Sequence, residues 1–158
     1  MNPNDLQPRG TAPEGAAIVG QVDPNPRGPG PFVMAADTLE KNRVVDPAGD
    51  DLGTIDHIML DMMGGRIAYA VLAMGGFLGM GEKLFALPWS ALTLDTRRKC
   101  FVVGIDKERL KAAPGFDKDH WPMMGDPQWA TSIHSYYGIA PYWEADHYDP
   151  WMDDQRPR

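Results

Sequence analysis

The segment 66–74 carries apolar residues on both of its alternating faces. One face presents Ile67, Tyr69, Val71 and Ala73, and the other presents Ala68, Ala70 and Leu72. A strand with one solvated face alternates between apolar and polar residues, so this pattern predicts a central strand that is covered on both sides. The pair Gly64-Gly65 just before it supplies the positive φ that tight hairpins need.

Further segments with strand-like composition flank this central strand. Strands are predicted over 38–45, 52–61 and 83–87, and a last hairpin pairs 92–94 with 100–105. A helical turn is predicted over 89–92 and a short helix over 107–112, with Asp106 as its N-cap. Five or six short strands with tight turns predict a mostly β fold, a small closed or nearly closed β-barrel with short helical turns.

Composition divides the chain into four segments. Residues 1–36 contain seven prolines and five glycines, which predicts a flexible arm before a barrel over 37–113. Nine of the fifteen aromatic residues lie between 116 and 151. Because disordered tails are poor in aromatics, 114–151 is predicted to be an aromatic-rich extension that packs on the barrel, a second copy or another protein. Residues 152–158 are predicted to fray.

Charge and cysteine content limit the partners and the compartment. The net charge is −7, and the densest basic cluster is Arg97-Arg98-Lys99 in a predicted turn, so no nucleic-acid partner is expected. A single cysteine, Cys100, excludes an intramolecular disulfide and fits a reducing, cytoplasmic location. The uncharged run from 67 to 81 has 15 residues, fewer than the roughly 18 apolar residues that a spanning helix needs, so no direct membrane insertion is expected.

The motifs that usually carry chemistry are missing. In the glycine-rich run 75–81, Glu82 follows where a phosphate-binding loop needs lysine, so a structural bend is favoured. The four histidines lack ligand spacing, and Cys100 has no evident base beside it. We therefore expect no catalytic residues, no cofactor and no metal, and predict that the chain is not an enzyme.

Several motifs closely resemble the PRC-barrel family. They are Leu52-Gly53-Thr54-Ile55, the run from Gly65 to Leu72, and above all Gly75-Gly76-Phe77-Leu78-Gly79-Met80-Gly81 with Pro88-Trp89. The chain looks like the stand-alone bacterial members, and the resemblance implies a small β-barrel. The family includes the cytoplasmic domain of the reaction-centre H subunit and the C-terminal domain of the ribosome maturation factor RimM. Both use the barrel to contact a protein, which is the property that the resemblance implies here.

Three functions are consistent with these observations. The leading hypothesis is a non-enzymatic protein-binding or assembly module, with a protein partner that could be a second copy. One alternative is a small-molecule-binding protein or enzyme with a pocket between barrel and extension, lined by Phe77, Lys83, Trp89 and Trp121. Another is an auxiliary subunit of a membrane or photosynthetic electron-transfer complex. The residues predicted to contact a partner or ligand are Phe77, Lys83, Trp89, Trp121, Trp129, Tyr136, Tyr137, Tyr142 and Trp143.

Overall fold

The computed structural model describes residues 15–20, 28, 30–77 and 81–147. The predicted frayed tail and most of the predicted arm lie outside these ranges. The strands are β1 (Ala17–Val19), β2 (Arg43–Val45), β3 (Asp51–Asp61), β4 (Arg66–Phe77), β5 (Gly81–Pro88), β6 (Leu92–Asp95) and β7 (Cys100–Val103). The helices are α1 (Ala36–Leu39), α2 (Lys107–Lys111) and α3 (Pro127–Tyr137), with 3₁₀ turns at Trp89–Ala91 and Tyr142–His147.

These seven strands form one sheet in the order β1-β6-β7-β2-β3-β4-β5. The strands β3, β4 and β5 form an antiparallel meander, whereas β2 pairs parallel with β7 and β1 pairs parallel with β6. Hydrogen bonds do not close this sheet, since β1 and β5 are its two edges. The predicted mostly β architecture is confirmed, and the barrel is of the nearly closed kind.

The central strand β4 is buried on both faces, as its sequence predicts. Every residue from 68 to 74 is buried. The inner face contributes Ala70, Leu72 and Met74 to the main core, together with Val44, Leu52, Ile55, Phe85, Leu87, Leu92, Phe101, Val103 and Leu110. The outer face contributes Tyr69, Val71 and Ala73 to two smaller clusters, which residues of the extension cover.

The N-terminal half of the predicted strand 38–45 is instead the end of a helix followed by a turn. Helix α1 occupies part of it, and the strand begins only at Arg43. The side chain of Asn42 donates to the carbonyl oxygens of Thr38 (2.6 Å) and Leu39 (3.0 Å), which satisfies acceptors at the helix end. Lys41 then takes a positive φ of 66°, which turns the chain into β2. Local hydrogen bonds thus outweigh the strand propensity of this segment.

Helix α2 follows its sequence signals closely. The Asp106 carboxylate accepts a hydrogen bond from the backbone N–H of Arg109 at 2.8 Å, as a predicted N-cap should. The helix ends at Lys111, just before the predicted boundary, and buries Leu110 in the main core. The capping residue and one apolar side chain therefore fix both the start and the orientation of this short helix.

Strand β1 lies in the segment that the sequence predicts to be an arm without regular structure. It pairs in parallel with β6, with Ala17 opposite Thr93 and Val19 opposite Asp95. The carbonyl oxygen of Val19 also accepts hydrogen bonds from the backbone N–H (3.0 Å) and the hydroxyl (3.1 Å) of Thr96. Pairing with an available sheet edge, rather than local propensity, makes these three residues a strand.

Candidate functional site

The C-terminal extension is attached to the edge of the sheet at β5. Phe116 forms an antiparallel bridge with Leu84, and each backbone N–H donates to the other residue's carbonyl oxygen at 2.9 Å. The Phe116 ring packs against the Trp121 ring at 5.0 Å, and Trp121 in turn meets the His57 ring of β3 at 5.3 Å. The chain after the barrel therefore lies along the outer face of the sheet.

Helix α3 then covers the outer face, and sequence reasoning missed it. Asp126 caps its N-terminus through a hydrogen bond from Gln128 N–H at 2.9 Å, and Pro127 occupies the first turn. Gly138 ends the helix with a φ of 66°. An Asp-Pro pair and a glycine eleven residues beyond the proline are ordinary helix boundary signals. Helix α3 was therefore predictable from the sequence.

Tyr69 of β4 is the centre of an aromatic cluster between the sheet and the extension. Its ring centroid lies 5.4 Å from Trp129, 5.6 Å from His134 and 5.8 Å from Tyr142. Trp143 meets His134 edge-on at 5.2 Å and Tyr142 at 5.1 Å. Aromatic pairs in such geometry contribute about 0.5 to 1.5 kcal/mol each beyond the area they bury. The cluster therefore holds the extension on its own barrel.

The polar groups of this cluster are buried and kept neutral. The Tyr69 hydroxyl lies 3.4 Å from Nε2 of His134, whose residue is only 2% exposed. Burial lowers the pKa of His134, and the backbone carbonyls of Ile139 and Ala140 and the carboxylate of Glu144 oppose that shift only in part. Burial also raises the pKa of the Tyr69 hydroxyl well above its ordinary value.

Two buried polar atoms at α3 have no hydrogen-bond partner within the described residues. They are Nδ1 of His134 and the hydroxyl of Tyr137. Burial raises the pKa of Tyr137 strongly, so this hydroxyl stays protonated. Unpartnered buried groups are costly and make a packed site sensitive to protonation.

Arg109 connects α2 to the end of α3. Its guanidinium donates to the carbonyl oxygen of Tyr136 at 3.0 Å, and the Tyr136 hydroxyl donates back to the carbonyl oxygen of Arg109 at 2.5 Å. The guanidinium also lies 5.6 Å from the centre of the Tyr136 ring. These contacts fix the extension at a second point, away from the aromatic cluster.

The predicted contact residues are distributed over both faces of the sheet. Trp129, Tyr137, Tyr142 and Trp143 gather around Tyr69 or its neighbours on the outer face. Trp89 instead packs with Phe101 at the main core, whereas Trp121 lies outside with His57. Lys83 on β5 places its ammonium 5.1 Å from the centre of the Phe85 ring. Phe77 ends β4, and its side chain lies outside the described part.

The β3–β4 hairpin carries a different kind of surface, which sequence reasoning did not single out. Its tip comprises Leu60, Met62 and Met63. The exposed fractions of these residues are 58%, 82% and 98%, respectively. Asp61 organises the turn: Oδ1 accepts from the N–H groups of Met63 (3.2 Å) and Gly64 (3.1 Å), and Oδ2 accepts from Arg66 Nε (3.0 Å). The Gly64 N–H and the Arg66 guanidinium lower the pKa of Asp61, so the carboxylate stays ionised.

Neither a metal-binding cluster nor a membrane-spanning helix is visible in the described ranges. There, no three His, Cys, Asp or Glu side chains gather as they would around a metal ion. No helix of these ranges is long and apolar enough to cross a membrane.

Comparison with known proteins identifies one domain. Residues 33–110 match the family model described as PRC-barrel domain. A solved structure of a 16S ribosomal RNA processing protein, RimM from Pseudomonas aeruginosa, is 23% identical with a TM-score of 0.34. That match covers 48% of this chain and 45% of the RimM chain. A search of curated proteins finds no match.

Proposed function

Because residues 33–110 form a PRC-barrel domain, we propose that this chain is a non-enzymatic protein-binding module that uses the β3–β4 hairpin tip as its contact surface. The observation that carries the proposal is the exposure of Leu60, Met62 and Met63 on one rigid turn. Scattered exposed apolar residues are common, but three large ones within four positions are typical of an interaction surface.

The rigidity of the turn favours binding. Four hydrogen bonds converge on Asp61, since its carbonyl oxygen also accepts from Gly65 N–H at 2.9 Å. A turn that is already ordered loses little conformational entropy when it meets a partner. Methionine adapts its shape to irregular apolar surfaces, so Met62 and Met63 suit a hydrophobic cleft of another protein.

The rest of the molecule is consistent with a binding role. Trp129 and Trp143 of the extension, which would otherwise be candidate anchors, pack against Tyr69 and His134 on the outer face. Full burial of a methionine or leucine side chain contributes about 1.5 to 3 kcal/mol, so the tip can supply the anchors of an interface.

Site-specific photo-crosslinking in the native host tests this proposal. A benzoylphenylalanine at position 63 is expected to give one defined protein adduct, and the same probe at exposed Lys118 is expected to give none. The double substitution Leu60→Ser and Met62→Ser, combined with the probe at 63, should reduce that adduct at least fivefold while the melting temperature is unchanged. Equal adduct yields at positions 63 and 118 would refute the proposal. So would an adduct yield at position 63 that the double substitution does not change.

A further inference from the structure

Arg66 connects the hairpin tip to the C-terminal extension. Its Nε donates to Oδ2 of Asp61 at 3.0 Å, and its Cζ lies 5.0 Å from the centre of the Tyr142 ring. The Tyr142 ring in turn packs against the rings of Tyr69 and His134, at 5.8 and 5.7 Å. A continuous set of contacts therefore leads from the aromatic cluster on the outer face to the carboxylate that organises the turn.

The ion pair between Asp61 and Arg66 is shielded from solvent, although it lies at the end of a hairpin. The two side chains are 17% and 15% exposed, whereas Met62 and Met63 beside them are almost fully exposed. The ring of Tyr142 contributes to this cover, because it lies against the guanidinium. Exposed ion pairs contribute little and are screened by salt, whereas partly buried pairs are screened much less. The strength of this ion pair therefore depends on the cover that the extension provides.

The same ion pair packs directly on the backbone of the turn. A Cβ added at Gly64 would overlap Oδ2 of Asp61 and would come within 2.9 Å of Nε of Arg66. Oδ1 of the same carboxylate accepts the N–H groups of Met63 and Gly64. A shift of the Asp61 carboxylate therefore weakens hydrogen bonds that hold the turn in its present shape.

We propose that docking of the extension keeps the hairpin tip in its binding conformation, through the contact of Tyr142 with Arg66. This regulation rests on the proposed binding by the tip, because it acts on the same surface. While Tyr142 covers Arg66, the ion pair holds Asp61 in place and the turn stays ordered. When the extension leaves the outer face, the pair becomes exposed to water and salt, and the turn loosens. Coupling of this kind is reciprocal, so a partner bound at the tip also stabilises the docked extension.

Amide hydrogen exchange in the full-length chain, followed by NMR, measures the order of the tip without a partner. Loss of a cation–π contact at a partly exposed site changes an equilibrium about two- to fivefold. We expect Tyr142→Leu to accelerate exchange at the N–H groups of Met63 and Gly64 by that factor. The acceleration should be larger in about 0.5 M salt than in low salt, because the uncovered ion pair is screened. Exchange at Leu72, a buried residue of β4, should remain slow, which shows that the barrel stays folded.

Tyr136→Leu is the matched control, because Tyr136 makes the same kind of contact with a different arginine. The Arg109 guanidinium lies 5.6 Å from the centre of the Tyr136 ring, at the second attachment point of the extension. This variant should leave exchange at Met63 and Gly64 nearly unchanged. Equal acceleration by the two variants, or no acceleration by Tyr142→Leu, would overturn the proposal.

Arg66→Gln provides a second variant, since glutamine lacks the charge that both Asp61 and Tyr142 contact. It should accelerate exchange at the tip by itself, and adding Tyr142→Leu to it should have little further effect. Fully additive effects of the two substitutions would show that Tyr142 does not act through Arg66.

The photo-crosslink at position 63 distinguishes failure of this regulation from failure of binding. If the parent chain gives no adduct, binding by the tip is refuted, whereas the exchange data still test whether the extension orders the turn. If the parent chain gives an adduct, Tyr142→Leu should lower its yield about two- to fivefold, and Tyr136→Leu should not. An adduct yield that Tyr142→Leu leaves unchanged would mean that the extension does not regulate binding.

Discussion

Ile133 provides the most direct test that the extension packs on its own barrel. This residue is 1% exposed and lies against Ala68, Tyr69 and Ala86 of the sheet. The substitution Ile133→Ala removes three carbon atoms, worth about 2.4 kcal/mol of transfer free energy at ~0.8 kcal/mol each. The cavity left behind adds a further penalty, so we expect the free energy of unfolding to fall by about 3 to 4 kcal/mol.

Urea denaturation of the full-length chain measures this loss. Far-UV circular dichroism follows the whole fold, and tryptophan fluorescence follows the packing of Trp129, which contacts Tyr69 at 5.4 Å. The melting temperature should drop by roughly 10 °C for a domain of this size. Ser135→Ala, at an exposed position of the same helix, is the matched control and should change stability by less than about 0.5 kcal/mol.

A loss below about 1 kcal/mol for Ile133→Ala would contradict the packing. It would mean that α3 is not docked on the outer face in solution, and that the aromatic residues are available to a partner after all. A loss seen by fluorescence but not by circular dichroism would instead indicate that the extension undocks as a separate unit.

Two further predictions concern protonation and a close backbone approach. Burial lowers the folded-state pKa of His134. The free energy of unfolding should therefore have its full value above about pH 6.5, the ordinary histidine pKa. It should fall as the pH drops toward the folded-state pKa, by up to ~1.4 kcal/mol per pH unit. Urea titrations from about pH 8 to about pH 5 should show this loss in the native chain and not in His134→Gln, and identical profiles would contradict it. Gly53 has a φ of 144°, and a Cβ there would overlap the carbonyl oxygen of Ala73. Gly53→Ala should therefore cost more than about 2 kcal/mol in urea denaturation, whereas Gly104→Ala, which faces open space, should cost far less; equal costs would exclude the overlap as the cause.

The barrel was predictable where local patterns determine structure. The apolar residues on both faces of 66–74 require cover on both sides, and β4 is buried on both. Asp106 caps α2 because a carboxylate at that position meets free backbone N–H groups in any context. The strand predicted over 38–45 was wrong in its first half, because side-chain hydrogen bonds of Asn42 stabilise a helical turn there.

The contact surfaces were less predictable. Composition indicated that the aromatic extension is not free, but it left open what the extension covers. The structure places Trp129 and Tyr142 of the extension on the outer face of the sheet, around Tyr69. The hairpin tip was not singled out, because a Met-Met pair in a turn gains meaning only when its side chains are known to be exposed.

The sequence by itself determined strands β3 to β7, the capped helix α2 and the absence of familiar catalytic motifs, since these depend on residues close together in the chain. Tertiary structure alone decided that the outer face of β4 binds α3, that His134 is buried beside Tyr69, and that β1 adds to the edge at β6. Each of these contacts joins segments more than fifty residues apart. Their free energy comes from buried area and from paired sheet edges, which depend on what the rest of the chain leaves uncovered.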